Sequence, residues 1–404
     1  MPQFAYKAIT QKGKTVSGKI TANNSLEAKD ALKEKNLYPI EVLEASQKDE
    51  ASSILARFTK IKSKDFSFFC RQFYAMTNAG IPITQTLDII QQQTQKLKFR
   101  KIIFDVNEQL QKGYTFSEAL KQNADIFPPI MINLVEAGEV SGNLDEIMDR
   151  LSTHFDKENK IQNKIKAAMI YPIVLLLVTI VVVVFLLTVV MPTFLGMFQG
   201  SGTPLPGPTR LLLAMSDALR NQWYLFIAGI LLILLIWTLL NKNEKFRIFN
   251  AKTKLKRIPV IRGMNLMLVT SRFARTMSIL SRSGVEMLTS IEITGRVIGN
   301  EFVAVKLLQV SEDVKKGVNI SSPLKRYDIF PPMLSAMVKI GEDSGSLDDI
   351  LDKTATFYEE ELEAAIQRVM ALIEPGMILI MGVIVGFIVI AMLMPMFDMV
   401  TTIR

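Results

Sequence analysis

Three long runs of uncharged, mostly apolar residues constrain this chain more than any other feature. They read IVLLLVTIVVVVFLLTVVM at 173–191, WYLFIAGILLILLIWTLL at 223–240 and PGMILIMGVIVGFIVIAMLMPMF at 375–397. Each has the roughly 18–20 residues that cross a hydrocarbon core as a helix. In lipid the backbone must satisfy its own hydrogen bonds, so an apolar run of this length is read as a helix. Trp223, Tyr224 and Trp237 lie near the ends of the second run, where interfacial aromatic rings belong.

The basic residues suggest an orientation. Lys157, Lys160, Lys164 and Lys166 precede the first run, and Lys242, Lys245, Arg247, Lys252, Lys254, Lys256 and Arg257 follow the second. The stretch 194–222 holds only Arg210 and Arg220, and the tail after the third run only Arg404. The positive-inside bias predicts a cytoplasmic amino terminus, two large cytoplasmic segments, and an outward loop and tail. The net charge of +8 is then accounted for by cytoplasmic flanks, without nucleic acid. MPQFAYKAITQKGK has no basic region leading into an apolar one, so no cleaved signal peptide is expected. A single cysteine, Cys70, excludes an intrachain disulfide.

The chain is also internally duplicated. AGEVSGNLDEIMDRL at 137–151 returns as IGEDSGSLDDILDKT at 340–354, an offset of 203 residues. FPPIMINLVEAG returns as FPPMLSAMVKIG at the same offset, and Pro172 and Pro192 are matched by Pro375 and Pro395. Upstream, a helical pattern stopping at Gly80 is answered by one stopping at Gly284, which sets Arg275 opposite Arg71. The repeat contains a helical module and the span after it. The second run is then an extra helix that lets both copies enter the membrane from the same side. Residues 1–45 stand apart, with FAYKAI, GKTVSGKI and YPIEVLE reading as strands around the helix SLEAKDALKEKN. SQKDEASS reads as a linker.

The repeated turn has a physical logic. Gly138 and Gly142, like Gly341 and Gly345, permit a tight reversal between two helices. Asn143 with Glu146, and Ser346 with Asp349, fit a capping box opening the second helix. Ser141, Leu144, Ser344 and Leu347 recur at fixed places, and Glu139, Asp145, Glu342 and Asp348 add acidic charge. Such a turn can be a hairpin connection or a partner-binding tip. Its acids lack the spacing of a calcium loop, so no metal is expected.

No catalytic constellation is visible. The chain has no G-x-x-x-x-G-K-[ST], no G-x-S-x-G and no zinc-ligand cluster, and no cofactor is expected. His154, the single histidine, reads as lying on a solvated helix face, and Cys70 as a packed thiol. Arg71 and Arg275, on otherwise apolar helices, are expected to pair with acids between helices. The spans carry too few polar groups for a transporter; the first has only Thr179 and Thr188. Gly376, Gly382 and Gly386 permit close helix packing in the third. GSGTPLPGPTR, in the outward loop, reads as a mobile connection.

Duplicated modules, three spans and the turns FPP…GE-x-SG-x-L resemble the family of inner-membrane platform proteins of type IV pilus and type II secretion machines. The stretch from Lys164 to Pro192, with Tyr171 and Pro172, is similar to that family's signature, and F-A-Y-K-A…G-K…G-K-I-x-A is similar to the start of its pilus members. Glu374 departs from the pattern, standing where the first copy has Tyr171. The resemblance implies a non-enzymatic platform of a type IV pilus. Such a platform recruits a cytoplasmic hexameric assembly ATPase, with a retraction ATPase as a further candidate, and couples its movement to pilin incorporation. Other inner-membrane pilus components and further copies of the chain are implied partners; the secretion platform, which drives pseudopilus assembly and protein export, is the alternative.

The expected fold is an all-α membrane protein with two duplicated cytoplasmic helical bundles, three transmembrane helices and a small α+β amino-terminal unit. Its expected divisions are 1–50, a first module at 56–170, a span at 171–193, an outward loop at 194–221, a span at 222–241, a second module at 242–373, a span at 374–397 and a tail at 398–404.

Overall fold

A computed structural model describes residues 3–10, 15–22, 25–34, 37–44, 60–193, 206–256 and 259–402. The expected linker at 46–53 and the loop tip at 194–205 lie outside these residues, as does Arg404. The chain is a predominantly α-helical membrane protein in two compact units, residues 1–115 and 116–404, with one small sheet near its amino terminus.

In the first unit, β1 (Gln3–Thr10) pairs antiparallel with β2 (Thr15–Thr21) on one side and β3 (Leu37–Glu44) on the other. Helix α1 (Ser25–Glu34) packs against β3. Helices α2 (Ser63–Asn78), α3 (Ile83–Gln93) and α4 (Leu97–Gln111) follow. Phe66, Phe69, Phe73 and Phe99 are buried here, with Phe66 edge-on to Phe99 at 5.6 Å. Such aromatic pairs add stability beyond the area they bury. Asp65 closes the start of α2 by accepting from the Lys62 backbone N–H at 2.7 Å.

The second unit opens with α5 (Phe116–Lys121), α6 (Pro129–Ser141) and α7 (Leu144–Phe185), which runs on through a π-helical turn at Leu186–Val190 to Thr193. Then come α8 (Gly207–Asn221), α9 (Trp223–Leu240), α10 (Glu244–Lys256), α11 (Pro259–Arg282), α12 (Met287–Val297), α13 (Glu301–Lys315), α14 (Ser321–Arg326), α15 (Pro332–Ser344) and α16 (Leu347–Thr402). The duplication is visible element by element. Helices α3 and α12 have 11 residues each, α4 and α13 have 15, and α6 and α15 have 13. One core, built on Phe273, Met277, Leu334, Leu351 and Tyr358, joins α11, α15 and α16. Phe273 lies 4.7 Å from Phe330.

Among the described residues, three helices are long and apolar enough to cross a membrane, and they contain the three runs read from the sequence. In two of them the module and the span are one rod. Helix α7 has 42 residues and α16 has 56, about 63 Å and 84 Å at helical rise. Pro172 and Pro375 therefore sit inside helices, not at their starts, and α16 continues past Pro395 to Thr402. A proline at the expected exit of the third span thus does not end the helix. Proline removes one N–H and kinks a helix, but in an apolar phase the remaining intrahelical bonds are worth keeping. Pro192 likewise lies within helical residues.

The described part of the loop between the first two spans is helical, where its glycines and prolines suggest a mobile connection. Residues 207–221 form an amphipathic helix with Pro208 in its first turn, a position where proline costs no hydrogen bond. Its Leu212 packs with Leu187, Met191, Ile388 and Ala391 of the first and third spans. Thr209 Oγ1 donates to the Ala391 carbonyl at 2.6 Å, and Ser216 Oγ to the Leu187 carbonyl at 2.6 Å. The acceptor Leu187 lies in the π-helical turn, whose wider winding changes the local backbone bonding.

Candidate functional site

The two repeated turns are near-copies in three dimensions. Gly142 and Gly345 end α6 and α15 in the left-handed region, at φ 73° and 68°, where a side chain would be strained. The next residue folds back in each: the Asn143 N–H donates to the Gly138 carbonyl at 3.0 Å, and the Ser346 N–H to the Gly341 carbonyl at 3.1 Å. Gly138 and Gly341 are spacers. A Cβ on Gly341 would lie 2.9 Å from the Leu347 Cα, and one on Gly138 would lie 2.9 Å from Ile147 Cγ1 and 3.2 Å from the Leu144 Cα. Ser141 and Ser344 donate to carbonyls one turn back, Ala137 at 2.8 Å and Ile340 at 2.7 Å. Leu347 is buried and Leu144 half-buried.

The repeated glutamates do not project from the tip. Glu139 accepts from the backbone N–H groups of Phe116 and Ser117, the latter at 2.9 Å. Glu342 does the same for Ile320 and Ser321, the latter at 3.2 Å. Each carboxylate thus closes the amino end of the short helix α5 or α14, where unpaired donors and the helix dipole favour an anion. The expected capping box is not formed in the first copy. Asn143 makes no side-chain cap, because its backbone at φ −109°, ψ 41° is turned away from the extended cap geometry. Glu146 reaches forward to Arg150 instead, and the Ser346 hydroxyl meets that of Ser344 at 2.7 Å. Asp145 is half-buried; Asp348 and Asp349 face Arg282, at 3.5 and 2.7 Å. Among the described residues, no cluster of three or more metal-ligating side chains occurs.

Gly80 and Gly284 end α2 and α11 alike, at φ 82° and 72°. Arg71 and Arg275, equivalent in sequence, differ in setting. Arg71 is exposed. Arg275 is buried, with ion pairs to Asp352 and, at 2.8 Å, to Glu359, and a bond to Thr356 Oγ1 at 3.0 Å. Cys70 is fully buried, and burial pushes its thiol well above the usual range.

The two copies meet along a seam in which equivalent positions face one another. Tyr171 donates to Glu374 Oε1 at 3.4 Å, and these positions are 203 residues apart. Higher in the membrane Thr179 meets Met381 Sδ at 3.5 Å, and lower down Lys157 pairs with Glu359 at 3.4 Å. Helices α7 and α16 therefore run parallel and nearly in register. Glu374, the departure from the repeat, is the partner of the tyrosine it replaces. Arg272 of α11 pairs with Glu158 of α7, which holds that carboxyl below its usual range against the opposing effect of burial.

His154 lies in this seam, not on a solvated face. It is half-buried, its Nδ1 is without a hydrogen-bond partner among the described residues, and burial lowers its pKa to about 4, with Arg275 and Arg272 adding to the effect and Glu158 and Glu359 opposing it. Repeat matching did not reveal the seam residues Glu158, Arg272, Asp352 and Glu359, since an offset pairs equivalent positions and says nothing about cross-copy contacts. The docking hydroxyls Thr209 and Ser216 were missed too, although apolar residues at helical spacing in 209–219 could have signalled their helix.

Comparison with known proteins agrees with this architecture. The family model for type II secretion system protein F matches twice, over residues 69–192 and 273–395, and its amino-terminal domain model matches residues 1–44. The chain belongs to the type II secretion system protein F family. The duplicated unit of the family model thus takes in both the turn and the span that follows it. The type IV pilus assembly protein PilC of Thermus thermophilus is 35% identical, covering 100% of this chain and 99% of the relative. The protein of the same name from Myxococcus xanthus is 33% identical over 100% and 96%. The type II secretion system protein F of Vibrio cholerae is 32% identical over 99% and 98%.

Proposed function

We propose that this chain is the inner-membrane platform of a type IV pilus assembly machine, with its amino terminus and both modules in the cytoplasm. It recruits a cytoplasmic hexameric assembly ATPase and couples that motor's movement to the incorporation of pilin into the fibre. It acts as a scaffold and not as an enzyme, in an oligomer with other inner-membrane pilus components.

One observation carries the reading. The helices that begin at the two repeated turns continue unbroken into membrane spans, side by side and nearly in register. A displacement applied to the modules is carried into the bilayer by two rods, without a flexible joint to absorb it. With Glu139 and Glu342 committed to capping, the exposed tip residues run from Val140 to Asn143 in one copy and from Asp343 to Gly345 in the other. These tips offer two related contacts to a ring-shaped motor.

The test is a count of sheared surface pili in a strain deleted for this gene alone. Loss of pili, restored by the intact gene, is expected; normal piliation overturns the proposal. The second reading is a platform for type II secretion, favoured by the full-length similarity to the Vibrio cholerae protein. It predicts normal pili and a loss of exported proteins from the medium.

A further inference from the structure

The foot of the second span carries a feature that a scaffold does not need. A cavity of 300 Å³ opens where α9 ends, lined by Asn241 at the end of that helix, by Arg247, Asn250 and Lys254 of α10, and by Asn265 and Arg272 of α11. Three cations and four side-chain amides, Asn300 included, face one small space, against the single carboxylate of Glu301.

Two of the cations are pinned. Arg247 is ion-paired with Glu301. Arg272 is held by Glu158 and by the Ile298 carbonyl at 3.4 Å. It fits there because Gly299, at φ 75°, has no Cβ; one would lie 2.7 Å from Arg272 Nη1. Lys254 is exposed and has no ion-pair partner among the described residues, and the same holds for Lys242 and Lys245 nearby. From 241 to 256 the chain has six basic residues and one acid, Glu244.

We propose that this cavity binds the phosphate headgroup of an anionic phospholipid from the adjoining leaflet. The location selects a lipid. Asn241 directly follows the last residue of a span whose residues are all outside the protein core, so the cavity lies at the membrane surface with acyl-chain space beside α9. The chemistry selects an anion: guanidinium and ammonium groups satisfy phosphate oxygens, and amides add neutral donors. Basic pockets at the cytoplasmic ends of transmembrane helices suit anionic headgroups for the same reason. The bound lipid would add to the ring contact of Trp237 with Phe246 in joining α9, whose residues are all outside the core, to α10 and α11 of the second module.

Native mass spectrometry of the full-length protein in detergent tests this, with dioleoyl phosphatidylglycerol and dioleoyl phosphatidylcholine supplied as competing lipids. Wild type is expected to retain phosphatidylglycerol preferentially. Lys254→Glu should weaken that retention about 25-fold, the square of the roughly fivefold effect of one surface charge. Lys254→Ala should give the single-charge effect and guards against a folding defect in the first variant. Lys316→Glu, at the far end of α13, makes the same charge change away from the cavity and should leave retention unchanged. Equal retention of the two lipids overturns the proposal, as does an equal loss in Lys254→Glu and Lys316→Glu. Displacement of phosphatidylglycerol by millimolar inorganic phosphate would also overturn it, assigning the cavity to a free phosphate compound.

Discussion

Replacing Glu139 or Glu342 with glutamine separates a structural turn from a docking tip. Each carboxylate accepts two backbone N–H groups at the start of a short helix. Charge-assisted bonds of this kind contribute about 1.5–3 kcal/mol each. Glutamine keeps one acceptor oxygen without the charge and turns an NH2 towards the second donor, so about 2 kcal/mol of local stability is lost. That loss corresponds to about 30-fold faster opening of the capped turn. Hydrogen exchange read by mass spectrometry on the purified protein resolves it. In Glu139→Gln the amides of Phe116 and Ser117 should exchange about 30-fold faster while those of Ile320 and Ser321 are unchanged, and Glu342→Gln should give the reverse. Unchanged exchange at both sites in both variants would refute the capping role and return these acids to the tip surface.

Other outcomes follow from the same geometry. Gly341→Ala places a methyl against the Leu347 backbone and should cost about 1–3 kcal/mol by thermal unfolding; Gly138→Ala should cost less, because its nearest neighbour is a side-chain carbon that can shift. Arg275→Ala leaves Asp352 and Glu359 without their buried partner and should destabilise by about 3–5 kcal/mol, whereas Arg71→Ala, at an exposed site, should change the melting temperature little. His154 is neutral in the fold down to about pH 4, so the unfolded chain binds a proton from about pH 6.5 downwards that the folded chain refuses. Stability should therefore fall as pH drops from 6.5 to 4, with no contribution above 6.5, and His154→Gln should flatten that part of the profile.

Much of the architecture is legible in the sequence, because lipid and duplication leave it few choices. Three uncharged runs dictate three helices, and the offset of Gly138 and Gly341 locates the paired turns. The positive φ at Gly80, Gly142, Gly284 and Gly345 follows from their places at helix ends. What the residues did not disclose is which groups meet across the copies. Glu139 looks like a surface acid until α5 is seen to end under it, since the two lie more than 20 residues apart. Pro395 and GSGTPLPGPTR mislead for a related reason. Proline and glycine punctuate chains in water, but packing against apolar spans sustains a helix through the one and starts a helix within the other.

The two-rod coupling depends most on the seam, where α7 and α16 run parallel with equivalent residues facing. Cysteines at 171 and 374, treated in native membranes with a short bis-maleimide, test it directly. Cys70 can stay in place, because its buried thiol is held in the unreactive protonated form. Tyr171→Cys with Glu374→Cys should link within one chain, and Tyr171→Cys with Gly386→Cys, about 18 Å further along the helix, should not. Linkage of the second pair, or of neither, would contradict the register and with it the two-rod coupling.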